Sequence, residues 1–226
     1  NTKRQIILAG IARGMMILHS KNVIHRDLSS GNVLLDKDFH PRITDFGLSK
    51  FFDPHHSKTQ TINDCGTAVY MAPEVILSNK FGTKADVYSF GILMFEIVTG
   101  TRAYSDFLSN EDATIFQLKK KVTEGFRPTP KIPIKEGLNK LIQQCLLSNP
   151  NERPTFYELF QKLSLSWYVI INQFGPPQNN FVNNFLDEED NEQYCLDGVN
   201  LTEFLDYIEE ITEEVDKNKE FEERLD

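Results

Sequence analysis

Apolar residues at the start of the chain recur at helical spacing. Ile6, Ile7, Ala9, Gly10, Ala12, Met15 and Leu18 fall on steps that predict a buried helix over roughly residues 2–20. Short β-prone pieces follow at 23–25, 33–35 and 42–44, separated by the turn-rich segments LSSGN and DKDFHP. Turns this close together leave room only for a small hairpin. From Pro73 onward the pattern is helical. Residues 84–99 are apolar on nearly every side, which predicts a central buried helix. Residues 111–123, 136–147 and 155–165 carry one apolar face each and predict amphipathic helices. FRPTPKIP is a proline-rich connector between two of them, because proline lacks the N–H that continues a helix. The expected fold is mainly α with a small β-hairpin region over residues 1–165.

The pattern changes around Gly175. GPPQNN, VNN and DEED mark a linker over 166–186 that leads into an acidic tail over 187–226. Within the tail, Leu201, Phe204, Leu205, Ile208, Ile211 and Val215 share one helical face, so an amphipathic helix is expected near 200–215. It reads either as a docking or regulatory helix presenting Phe204 and Ile208, or as part of a solvating tail. Charge divides the chain at the same place. Residues 187–226 hold 17 acidic and 3 basic side chains, whereas residues 1–186 hold 21 basic and 16 acidic. The formal charge of −9 therefore describes the tail. The body has no dense basic stripe, and Lys119-Lys120-Lys121 reads as a solvated helix face, so nucleic acid is not an expected partner. The apolar run over 88–98 is broken by Ser89, Gly91 and Glu96 and is too short to span a membrane. Cys65, Cys145 and Cys195 are odd in number and far apart, which favours a reducing, cytoplasmic setting over a disulfide framework or a zinc site. A membrane anchor in a preceding region is compatible with this pattern.

Chemistry enters with three motifs. His25-Arg26-Asp27-Leu28, followed by Asn32, fits H-R-D-L-x-x-x-N; Asp45-Phe46-Gly47 follows the expected hairpin; Ala72-Pro73-Glu74 follows a further loop. Each triplet alone is weak, but their order and spacing together are specific. The chain resembles the eukaryotic protein-kinase family over residues 1–165, the C-terminal lobe of that fold. GTAVYMAPE (66–74), DVYSFGILMFEI (86–97) and NPNERPTF (149–156) extend the likeness.

The resemblance implies ATP and Mg2+ as cofactors and protein hydroxyls as substrates. Phosphoryl transfer through a loose transition state depends on positioning and charge neutralisation, and magnesium takes hard oxygen ligands. Asn32 and Asp45 would hold the metal, Asp27 would orient the attacking hydroxyl, and Leu34 would lie under the adenine, with Leu93 and Ile97 beneath it. His25 and Phe46 would belong to a hydrophobic stack anchored by Asp86, and Glu74 would pair with Arg153. Arg26 would pair with a phosphorylated activation segment. Ser57, Thr59 and Thr61 are candidate acceptors, with Thr59 or Thr61 preferred, and Thr67 would contact Asp27.

The chain also departs from the family pattern. Ser29 stands where serine/threonine kinases usually carry lysine, and LSSGN is not a typical tyrosine-kinase loop either. GTAVYMAPE favours the serine/threonine side. The combination looks like the tyrosine-kinase-like group, which acts mainly on Ser and Thr; tyrosine or dual specificity stays open. A glycine-rich phosphate loop, a strand lysine and its helix glutamate are not found in this sequence. The expectation is therefore truncation, with the N-terminal lobe supplied in cis or by a partner and the chain alone weakly active or inactive. A non-catalytic kinase-like scaffold is the alternative.

Overall fold

The computed structural model describes residues 2–45, 50–51, 67–165 and 199–200, with the pairs 50–51 and 199–200 described by backbone alone. Helix α1 (Thr2–Ser20) matches the expected span. Its buried residues Ile7, Leu8, Ile11, Ala12 and Met15 join the single hydrophobic core cluster. It packs on α7 (Phe156–Leu165), so the beginning and end of this body close on each other.

Four short strands follow α1. β1 (Val23–Ile24) pairs antiparallel with β4 (Lys50–Phe51). β2 (Val33–Leu35) pairs antiparallel with β3 (Pro41–Ile43), with Val33 opposite Ile43 and Leu35 opposite Pro41. The side-chain period of two puts Val33 and Leu35 into the core and leaves Leu34, between them, partly exposed on the other face. The hairpin turn is held by Asp36, whose Oδ1 accepts the Asp38 and His40 backbone N–H groups at 2.9 Å each.

A further strand was not expected. β5 (Val199–Asn200) pairs antiparallel with β2, Leu34 opposite Asn200 and Leu35 opposite Val199, giving the sheet order β3-β2-β5. Asn200 ends this strand at the edge of the segment near 200–215 where an amphipathic helix is expected. The rest of that expected helix, residues 201–215, and the linker at 166–186 lie outside the described residues.

The helical part begins with α2 (Pro73–Ser78), which has proline at its first position and ends on Asn79 in the left-handed region. α3 (Thr83–Thr99) is the centre of the core. All of its residues from Ala85 to Thr99 are buried except Ser89, and it ends on Gly100 at φ 72°, whose N–H returns to the Glu96 carbonyl. α4 (Ser105–Leu108) is a single turn entered through Tyr104 at φ 62°. α5 (Ile115–Thr123) starts four residues later than the apolar pattern indicated. Thr114 and Gln117 form a reciprocal capping box that fixes the start. α6 (Glu136–Cys145) packs on α3. That packing requires Gly91: a Cβ there would lie 2.7 Å from Cys145 Cβ and 2.9 Å from Leu146 Cδ2. Burial pushes the Cys145 thiol up to about 12, so it serves as a small apolar side chain. Among the described residues, no helix is long and apolar enough to cross a membrane.

Candidate active site

The site is built upward from Asp86, in the first turn of α3 and 1% exposed. A buried carboxylate is costly unless its oxygens are satisfied. Asp86 Oδ2 accepts the His25 backbone N–H at 2.9 Å and Oδ1 accepts the Arg26 N–H at 2.9 Å. His19 on α1 donates from Nε2 to Oδ2 at 2.8 Å, since a carboxylate offers only acceptors. One side chain of the core thereby holds two consecutive amides of the loop. Arg26 sits at φ 73°, a left-handed conformation uncommon for a residue with a Cβ. Asp86 accounts for its persistence.

The ring of His25 continues the support. Nδ1 accepts the Asp27 N–H at 3.3 Å, and Nε2 then donates to the Thr44 carbonyl at 3.0 Å. Accepting on one nitrogen and donating from the other defines the neutral Nε2–H tautomer. Asn32, at the end of the Ser30–Asn32 turn, donates from Nδ2 both to the Asp27 carbonyl at 2.8 Å and to Asp27 Oδ2 at 2.9 Å. The Asn32 carbonyl accepts the Thr44 N–H at 2.9 Å, so the mouth of the β2–β3 hairpin places Asp45 one residue beyond this bond. Asp45 has φ 59°, a second left-handed non-glycine residue in the same small region. Such conformations concentrate at functional sites because the surrounding contacts over-determine them.

Of the residues singled out from the sequence, Asp27, Asn32, Leu34 and Asp45 occupy one loop-and-hairpin unit, and His25 and Arg26 are tied to Asp86. Glu74 and Arg153 meet as expected, in a two-pronged ion pair at 2.7 Å per bond. Arg153 also donates to the carbonyls of Leu147 and Lys84 at 2.8 Å and stacks over Tyr88, its centre 5.0 Å from the ring. Phe46, Thr59 and Thr61 lie outside the described residues, as does the side chain of Thr67, whose backbone opens the turn Thr67–Tyr70.

The donor set is one of hard oxygens, the kind a divalent cation such as magnesium takes. Both hydrogen bonds of the Asn32 side chain among the described residues leave from Nδ2, which assigns its Oδ1 to acceptor work, and Asp45 directly follows Thr44, whose N–H bonds the Asn32 carbonyl. A different group, Asp36, Asp38 and His40, has ligand atoms within 4.8 Å of one another, but it sits on the exposed turn at the opposite end of the hairpin.

A buried network that the sequence pattern did not single out joins the loop to the turn before α2. Tyr70 donates to Glu96 Oε2 at 2.6 Å and lies 2.9 Å from Ser30 Oγ. Arg102 Nη1 donates to Ser30 Oγ at 2.9 Å, and the Ala103 N–H donates to Glu96 Oε1 at 3.0 Å. Burial first, and then the adjacent Glu96 charge, push the Tyr70 hydroxyl far above its usual range. The available signal was Glu96 itself, an acid in the otherwise apolar second half of α3. Nothing local in the sequence points to Ser30 or Arg102 as its neighbours.

Several known proteins are similar to this chain in sequence. The chain is 36% identical over 179 residues to cysteine-rich receptor-like protein kinase 24 of Arabidopsis thaliana, covering 72% of the chain and 28% of that protein. It is 38% identical over 154 residues to a probable serine/threonine-protein kinase of Dictyostelium discoideum, covering 68% of the chain and 11% of that protein. With RGS domain-containing serine/threonine-protein kinase A of the same organism it shares 36% identity over 167 residues, 74% of the chain and 14% of that protein. The chain thus spans less than a third of the length of these relatives. Residues 2–163 match the family described as protein tyrosine and serine/threonine kinase, and the chain belongs to it.

Proposed function

We propose that the chain is the catalytic-loop lobe of a protein kinase that transfers the γ-phosphoryl group of ATP to Ser or Thr hydroxyls of protein substrates. The observation that carries this reading is the pair of hydrogen bonds from Asn32 Nδ2 to the Asp27 carbonyl and carboxylate, which locks a carboxylate and an amide oxygen into one unit. Asn32 and Asp45 would hold Mg2+, which when bound neutralises phosphate charge. Leu34, partly exposed on the open face of β2, would support the adenine. Asp27 would accept a hydrogen bond from the substrate hydroxyl and aim it. His25 and Asp86 hold the backbone that carries Asp27. Arg26 Nε is buried and has no hydrogen-bond partner among the described residues, which supports pairing of this guanidinium with a phosphorylated activation segment, Thr59 or Thr61 being the acceptors we favour. Names of relatives on the serine/threonine side support that hydroxyl preference. We assign the activity to a cytoplasmic setting.

The test is transfer of labelled phosphate from Mg-ATP to protein acceptors, measured for this chain and for any longer chain containing it. Asp27→Asn should lower transfer by about 10²–10⁴-fold, the usual worth of a positioned general base. Transfer unaffected by that substitution would remove Asp27 from the reaction. Absence of transfer in every form, with Mg-ATP unbound, would favour a scaffold.

A further inference from the structure

β5 occupies a specific place. It pairs with β2 at Leu34 and Leu35, on the edge opposite β3, and it lies against the Ser30–Asn32 turn. The strand therefore borders both the residue assigned to the adenine floor and the loop assigned to the metal. In sequence, β5 lies within the segment 187–226, with its 17 acidic and 3 basic side chains. The segment comes from far along the chain, so this pairing closes a long loop. An edge strand with open backbone groups readily accepts such an extended segment.

We infer that the β2 edge is a docking site for the chain's own acidic tail, and that the docked tail competes with Mg-ATP. The competition has two physical sources. A polyanionic segment tethered beside the site opposes the approach of an anionic triphosphate. Its carboxylates are also hard oxygen ligands of the kind magnesium takes, so they rival the nucleotide for the metal. The mildly basic body, with 21 basic against 16 acidic side chains over residues 1–186, complements the tail and favours its docking. This inference rests on the nucleotide site proposed above.

The experiment compares the unaltered chain with a variant carrying Val199→Pro, which removes the β5 backbone donor that faces Leu35 and keeps every charge. Amide hydrogen exchange at Leu35 reads docking, because the Leu35 N–H faces β5 whereas the Leu34 N–H faces β3, and calorimetric titration with Mg-ATP reads competition. Docking with competition predicts faster exchange at Leu35 in the variant, with Leu34 held by β3 as the internal reference. It also predicts Mg-ATP binding at least about fivefold tighter, the lower end of typical coupling between sites. That difference should shrink in high salt, which screens the exposed charges. Unchanged exchange overturns the docking. Changed exchange with equal, measurable Mg-ATP affinity overturns the competition alone. Faster exchange in the variant with no Mg-ATP binding by either form overturns the competition together with the nucleotide reading of the site.

Discussion

The floor of the molecule and the loop edge above it are stabilised in different ways. The floor is α3 with α6 and α7 around it. Its apolar side chains interdigitate, Gly91 lets Cys145 and Leu146 approach closely, and its buried charges are paired or hydrogen-bonded, as in Glu74–Arg153. The loop edge, from Val23 to Asp45, is made of two- and three-residue strands and two turns, with left-handed residues at Arg26, Phe39 and Asp45. Short strands cannot hold such a conformation alone. Polar anchors rising from the floor hold it: Asp86 under His25 and Arg26, and Glu96 with Tyr70 under Ser30. Stability is concentrated in the floor, and the loop geometry depends on the floor's few buried polar groups.

Substitutions can break this division. The largest stability loss is expected for Glu74→Ala, which leaves the fully buried Arg153 guanidinium without its carboxylate. Removing one partner of a buried pair costs about 3–5 kcal/mol, read as a lowered urea midpoint at constant slope. Gly91→Ala should cost about 1–3 kcal/mol by forcing α6 away from α3, in the same measurement. Tyr70→Phe lies between the regions. It removes the hydroxyl joining Ser30 and Glu96 and should cost about 1–3 kcal/mol while also lowering phosphate transfer, because the loop loses a support. A stability loss with unchanged transfer would show that Ser30 does not position the loop. Asp27→Asn should change stability by less than about 0.5 kcal/mol, since an amide oxygen can still accept from Asn32, while transfer is lost. A large stability loss there would end the division between a structural floor and a working edge.

Much of the floor was legible in the chain. The near-continuous apolar run of 84–99 can only be a buried helix, and α1, α6 and α7 followed from their periodicity, α1 over its full expected span and α6 and α7 within two residues. The start of α5 was misplaced because a capping box competes with a longer apolar stripe, and the pairwise bonds of Thr114 and Gln117 win. The candidate site was legible because its residues lie close together in sequence: Asp27, Asn32, Leu34 and Asp45 fall within one stretch whose spacing is itself the motif. Ser30, Tyr70, Glu96 and Arg102 were not, because their network joins residues up to 72 positions apart.

β5 marks the same limit from the other side. Local periodicity in the tail favours a helix, and nothing in the sequence near Val199 names Leu34 and Leu35 as partners. Spacing, patterning and residue chemistry settle which helices form, where the loop chemistry lies and which family the chain joins, since all of these are local properties. The partner of each buried polar group and of each open strand edge depends on which distant residues the packed core brings within a hydrogen bond's reach, and that came only with the folded arrangement.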